Sequence, residues 1–375
     1  MSERRPRRWR RRAFVAAGVA LAVLVTGAGY GAWLGSDEAI KVRRWGPGDL
    51  LVLASVNGTV TLPDTPETRK PGTYWLEWSG AGTMLGEVKA REGGTVTRAV
   101  LDGPVPSTGT SVTFTSSPPG DPAVAWGVDF RDIPVETELG PAPAWYVPGD
   151  VSTWFIGVHG QNGRRNAVQK VLPVVHERGM PFLAITYRND EGAPASPDGL
   201  IHMGDTEWRD LEAAVRAARN GGARRVVLYG VSLGGVVIGQ FLARSPLAES
   251  VTGVIMDAPP YDMERVSEYN AARFGMPAFA GWLSSRVVEW RIGIDQDRLH
   301  LIHHPPKVRP PLLLLHTDAD AEVPVASSRE LAAAGPRLDW SIRYEEFQGG
   351  GHTEAWNVDR QRYDRLVRAF LTEHA

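Results

Sequence analysis

The chain contains no cysteine. Disulfides, thiolate metal ligands and a cysteine nucleophile are therefore excluded. Lysine is scarce, with five among 41 basic residues. A basic excess is also missing, since the formal net charge is −2. Residues 1–12 hold seven Arg and one Glu, which leaves 34 basic and 42 acidic groups in the rest. A mildly acidic body carries no nucleic-acid footprint. His303 and His304 are adjacent, but no carboxylate spacing around them completes a metal site. Adjacent side chains commonly point apart, so neither metal nor cofactor is expected. No internal repeat is present.

Charge is also absent from residues 13–35, AFVAAGVALAVLVTGAGYGAWLG. As a helix this run would span about 34 Å, enough for a hydrocarbon core of about 30 Å. The basic segment 1–12 precedes it, and Asp37 and Glu38 follow. The positive-inside rule then keeps the N-terminus cytoplasmic and sends the body across. Tyr30 and Trp33 fit an interfacial aromatic belt. A cleaved signal peptide, giving a secreted protein, is the competing reading. No small-x-small site near the end of the run supports cleavage. The expectation is a single-pass anchor with the body of the chain outside the cytoplasm.

Residues 36–121 are rich in Gly, Pro, Thr and Ser. Thr73–Trp78, Thr95–Leu101 and Ser111–Thr115 alternate as strands do. This stretch reads as a small β-rich module with an exit linker at Ser116–Pro122. From residue 122 the pattern changes. Val128–Val135 and Ala144–Val147 read as an antiparallel pair. Apolar runs at Thr153–Val158, Phe182–Tyr187, Val226–Tyr229, Val251–Met256, Leu312–Leu315 and Ile342–Phe347 then alternate with amphipathic helical stretches. That pattern predicts a mostly parallel sheet covered on both faces. Residues 261–307 exceed the length a crossover needs and are expected to form a helical cap.

Gly230-Val231-Ser232-Leu233-Gly234 lies between an apolar strand and a helix. A Gly-x-Ser-x-Gly there places the serine on a sharp turn with its hydroxyl raised from the sheet. The alternative is a Gly-rich loop in which Ser232 merely caps the helix. A serine nucleophile needs a base, and the base needs an acid to fix its tautomer. His352, after three glycines at the end of the last strand, supplies an imidazole. Asp318, Asp320 and Glu322 follow the Leu312 strand, and Asp257 ends the one before it. Any of these carboxylates could complete the set. The Leu233 N–H, directly after the serine, fits one oxyanion donor. Gln161 N–H, in the loop after Thr153–Val158, fits the other. His159 reads as a brace for that loop, Asp205 as a helix cap, and Arg188–Asp190 as pocket rim.

These residues together resemble the α/β-hydrolase superfamily. Gly-Val-Ser-Leu-Gly-Gly, Asp320-Ala321-Glu322-Val323-Pro324 and Gly-Gly-Gly-His352 stand in its order of Ser, Asp and His. The resemblance covers about residues 123–375 and implies an α/β-hydrolase fold with Ser232, Asp320 and His352 as its triad. Asp320 is preferred because the superfamily's acid commonly stands three residues before a Val-Pro. The glycines after the nucleophile are also similar to the prolyl-oligopeptidase branch, although no β-propeller precedes the domain. The implied substrate is a small-molecule or lipid-like carboxylic ester. A peptidase or amidase, an acyltransferase and a non-catalytic envelope scaffold are the other readings.

Overall fold

The computed structural model describes residues 12, 14–15, 26–27, 29–44, 46 and 48–375. It carries two sheets. The first is antiparallel and has seven strands: β1 (Leu50–Leu51), β2 (Ala54–Val56), β3 (Thr59–Pro63), β4 (Tyr74–Trp78), β5 (Ala81–Glu92), β6 (Thr95–Asp102) and β7 (Ser111–Thr115). Their order is β1-β7-β4-β5-β6-β3-β2. Alternation puts Val60, Leu62, Leu76, Leu85 and Val112 into one small core.

The second sheet has eight strands: β8 (Arg131–Thr137), β9 (Gly140–Val147), β10 (Thr153–Val158), β11 (Phe182–Ile185), β12 (Arg225–Val231), β13 (Val251–Asp257), β14 (Leu312–Thr317) and β15 (Ile342–Phe347). The order is β15-β14-β13-β12-β10-β11-β9-β8. β10 to β15 run parallel where they pair, and β9 joins β11 antiparallel. Strands such as β10 and β14 are buried at every position, as a sheet covered on both faces requires. This is the α/β-hydrolase fold.

Residues 29–40 form α1. The covering helices are α2 (Pro122–Trp126), α3 (Leu172–Glu177), α4 (Trp208–Asn220), α5 (Leu233–Arg244), α6 (Met263–Arg273), α7 (Ala278–Ile292), α8 (Val325–Ala334), α9 (Ala355–Val358) and α10 (Arg360–His374). α6 and α7 make up the helical insertion.

Most of the expected membrane helix, residues 13, 16–25 and 28, lies outside the described residues. Among the described residues no helix is long and apolar enough to cross a membrane. The described end of that run departs from expectation. α1 continues past residue 35 and packs on the cap. Arg291 of α7 donates to Ser36 Oγ and Asp37 Oδ1, both at 2.6 Å, and its guanidinium lies 4.1 Å from the Trp33 ring centre. Ile40 is fully buried among Leu233, Val236, Val288 and Ile292. Residues 36–40 therefore belong to the cap interface and not to the β module.

The two sheets share a core. Trp75 of β4 stacks on Trp356 of α9, with centroids 4.7 Å apart, and Trp126 of α2 meets both rings edge-on. Trp75 and Met84 pack with the hydrolase residues Phe155, Phe182 and Phe370. The helix α2 begins at the last residue of what reads as the linker and is capped by Asp121, which accepts from Ala123 and Val124 N–H.

Candidate active site

Strand order reverses between β10 and β12, so the loops that follow these strands meet in a crevice at the carboxyl edge. Ser232 sits there, between β12 and α5, with φ 52° and ψ −123°. A left-handed non-glycine residue costs on the order of 1–3 kcal/mol and persists only where its surroundings enforce it. Here they do. A Cβ on Gly234 would stand 2.1 Å from Val158 O, so only glycine lets α5 start this close to β10. Ser232 occupies the cap position of α5, but its side chain makes no capping hydrogen bond. The hydroxyl turns instead toward His352.

Ser232 Oγ lies 2.8 Å from His352 Nε2. His352 Nδ1 lies 2.6 Å from Asp320 Oδ2. A carboxylate takes only donors, so Nδ1 carries the ring proton and Nε2 is left to accept from the serine. The three side chains come from loops after β12, β14 and β15.

Asp320 is buried, and four donors hold it. His316 Nε2 reaches Oδ2 at 3.0 Å, and the N–H groups of Glu322 and Val323 reach Oδ1 at 2.8 and 2.9 Å. Burial pushes its carboxyl up, but the hydrogen bonds of His316 and His352 outweigh that and hold it well below the usual carboxylate range. For His352, burial favours the neutral ring. The Asp320 hydrogen bond and the charges of Asp320, Glu322 and Asp257 prevail and raise its pKa above 6.5. His316 is fully buried and bonds Ser328 Oγ through Nδ1 at 2.7 Å. It went unnoticed in the sequence because the end of an apolar strand carries no mark of side-chain direction.

The other carboxylates stand apart from His352. Asp318 accepts from Gly349 N–H at 2.7 Å. Glu322 is exposed. Asp257 is buried and accepts from Tyr363 OH at 3.1 Å.

Leu233 N–H is the first amide of α5, and helix-terminal amides lack intrahelical partners. The loop bearing Gln161 lies against the serine, since a Cβ on Gly160 would come 2.9 Å from Ser232 Cβ. The Gln161 side chain reaches back to the α1 carbonyls of Glu38 and Ala39, at 3.1 and 2.8 Å. His159 is buried and bonds Gly160 O and Asp190 Oδ2 at 2.9 and 2.8 Å, bracing the loop.

Three sequence readings need correction. Asp205 does not cap α4; it pairs with Arg244 and Arg298 at 2.7 and 3.1 Å. Arg188 is not at a rim but buried against Asp210, 2.8 Å away. Nor do His303 and His304 diverge: each bonds Asp297, at 2.6 and 2.8 Å. Among the described residues no group of three or more His, Asp or Glu could hold a metal ion.

The chain resembles several solved structures. An esterase of Pyrococcus furiosus, Pf2001, is 19% identical with a TM-score of 0.52, over 66% of this chain and 94% of that one. The same esterase in a second crystal form gives 18% and 0.53, over 66% and 92%. DcsB, solved in complex with its substrate analogue, gives 14% and 0.51, over 66% and 100%. At such identities the likeness shows the fold. No curated protein matches the sequence. A family described as "Domain of unknown function (DUF8805)" matches residues 51–115, the span of the antiparallel sheet. The prolyl oligopeptidase family matches residues 168–375, which include Ser232, Asp320 and His352. That match spans more than half of the sequence: the chain belongs to the prolyl oligopeptidase family and is a serine hydrolase.

Proposed function

We propose that Ser232, His352 and Asp320 form a catalytic triad that cleaves carboxylic esters through an acyl-enzyme. The observation that carries this reading is the continuous hydrogen-bond chain from Ser232 Oγ through His352 to Asp320. His352 Nε2 takes the hydroxyl proton as Oγ attacks the carbonyl carbon. The N–H groups of Leu233 and Gln161 bind the oxyanion. His352 then protonates the departing alcohol, the acyl group stays on Oγ, and a water activated by the same imidazole releases the acid. Asp320 remains ionised and steadies the imidazolium.

Cleavage of an amide is the second reading, and the family match favours it. It needs the same steps, with the proton delivered to an amine. Acyl transfer differs only in an alcohol replacing water. A fluorophosphonate probe should label the full chain and not Ser232→Ala. p-Nitrophenyl esters compared with peptide anilides then separate esterase from amidase, and added alcohol reveals transfer. A chain that neither labels nor turns over any of these sinks the reading.

The ester is lipid-like on this reading, and residues 13–35 anchor the chain so that the cap rests on the outer membrane surface. Phe279, Trp282 and Trp290 are exposed at helical spacing on α7, with Phe274 in the turn before it. Trp33, within the apolar run, lies 6.3 Å from Trp290. Exposed aromatics continuous with an uncharged run suit a bilayer interface. The lack of cysteine permits a single Trp282→Cys label. An environment-sensitive fluorophore there should shift to the blue and be quenched by shallow spin-labelled lipid in phosphatidylglycerol–phosphatidylethanolamine vesicles. The same label at Leu101→Cys should not respond. A shift without vesicles means that residues 13–28 or a second copy cover the face instead.

A further inference from the structure

The β module makes several of its polar contacts on the segment that carries His352. Glu354, two residues after the imidazole, is buried. Its Oε1 accepts from Lys70 Nζ at 2.8 Å, and its Oε2 accepts from Tyr74 OH at 3.1 Å and from Gly351 N–H at 2.6 Å. One carboxylate thus ties the module to the amide beside His352. Asn357 is held from the same side. Its Nδ2 donates to Thr73 O and Ser116 O at 2.8 and 3.0 Å, and its carbonyl accepts from Thr73 N–H at 2.8 Å.

The donors are themselves fixed. Arg98 is fully buried and donates to Thr68, Lys70, Gly72 and Gly86 carbonyls at 2.6 to 3.0 Å. Tyr74 and Phe114 flank its guanidinium at 5.3 and 5.5 Å. The fork therefore shapes the 68–72 turn that presents Lys70. Across the loop, buried Lys170 donates to Thr353 O and Asn357 Oδ1 at 2.8 and 3.0 Å, and Thr317 Oγ1 donates to Gly351 O at 2.8 Å. Thr353 itself has φ 58°, a strained conformation that such bonds can hold.

We infer that the module of residues 50–115 positions the catalytic loop, with Lys70 and Tyr74 acting through Glu354 to set His352 against Ser232. This rests on the triad reading above. Three glycines before His352 make the loop intrinsically loose, and the pinned carboxylate removes that freedom. The three residues act through the imidazole.

The test uses the full chain. Lys70→Met, Tyr74→Phe and Glu354→Gln are compared with wild type for ester kinetics, melting temperature and fluorophosphonate labelling. A loop displaced by about 1 Å costs up to a hundredfold, so kcat should fall about ten- to hundredfold while KM changes less than twofold. The acid limb of the pH–rate profile should move, because the His352–Asp320 contact is altered. Lys70→Arg should restore most of kcat. Variants that melt like wild type and keep wild-type kcat and pH profile would overturn the inference. So would kcat losses in all three that vanish on cooling below their melting transitions with the profile unmoved. If wild type itself neither labels nor turns over, it is the triad reading that fails.

Discussion

His316 Nε2 lies 3.0 Å from Asp320 Oδ2, the same oxygen that His352 bonds. Two imidazoles thus converge on one carboxylate oxygen, while two backbone amides hold the other. Asp320 is held by three donors besides His352. Its lowered pKa links it to stability with a definite sign. Stability from Asp320 is present above 3.8, its ordinary value, and is lost as pH falls through the lower folded value. The melting-temperature gap between wild type and Asp320→Asn should therefore be widest near neutrality and narrow below about pH 4. A gap independent of pH would remove the carboxylate's charge from the account.

Kinetics should separate the two nearby aspartates. Asp320→Asn presents the wrong group to the His352 Nδ1–H and should lower kcat by about 10⁴-fold. The Asp318 carboxylate accepts from Gly349 N–H. Asp318→Asn should stay within about threefold of wild type, since an exposed turn bond contributes about 1 kcal/mol or less. Steady-state rates on one short ester decide this, and equal mild losses would place the acid elsewhere.

The pH–rate profile should show His352 directly. The base must be neutral, and its pKa is raised by Asp320, Glu322 and Asp257 against the opposing effect of burial. Activity should fall as pH drops, with the midpoint of kcat/KM above 6.5. In Glu322→Gln the midpoint should move down, because a negative charge that favours the imidazolium is removed. A midpoint below 6.5 in wild type would contradict the arrangement.

Two glycines should fail differently. A methyl on Gly234 would meet backbone Val158 O, so Gly234→Ala must shift α5 or β10 and should cost about 1–3 kcal/mol of stability. A methyl on Gly160 would crowd the Ser232 side chain instead. Gly160→Ala should slow fluorophosphonate labelling more than it lowers the melting temperature. Thermal melts and labelling rates measured side by side check both.

The hydrolase sheet was legible because its central strands, β10 to β14, are mostly apolar runs, and the elbow because a serine between glycines at a strand–helix junction has few other uses. Asp320 emerged through family resemblance alone, since three carboxylates share its turn. The β module was read as strands, yet its attachment was not. Trp75 looks like any strand aromatic, and Lys70 and Glu354 stand 284 positions apart. Arg98 offers the same lesson: an alternating strand gives no hint that its one guanidinium is buried among carbonyls. The extension of α1 to residue 40 was missed because Asp37 and Glu38 read as the polar end of an apolar run. Their partner, Arg291, is supplied by a helix far along the chain.

The stacked pair of Trp75 and Trp356 carries one more implication. Neither sheet has a complete interior of its own, so excising either should leave a raw aromatic wound in the other. Evolution could exchange this accessory piece only together with the stretch of hydrolase it covers. Homologues bearing a different N-terminal partner should therefore have rewritten the residues just after the histidine.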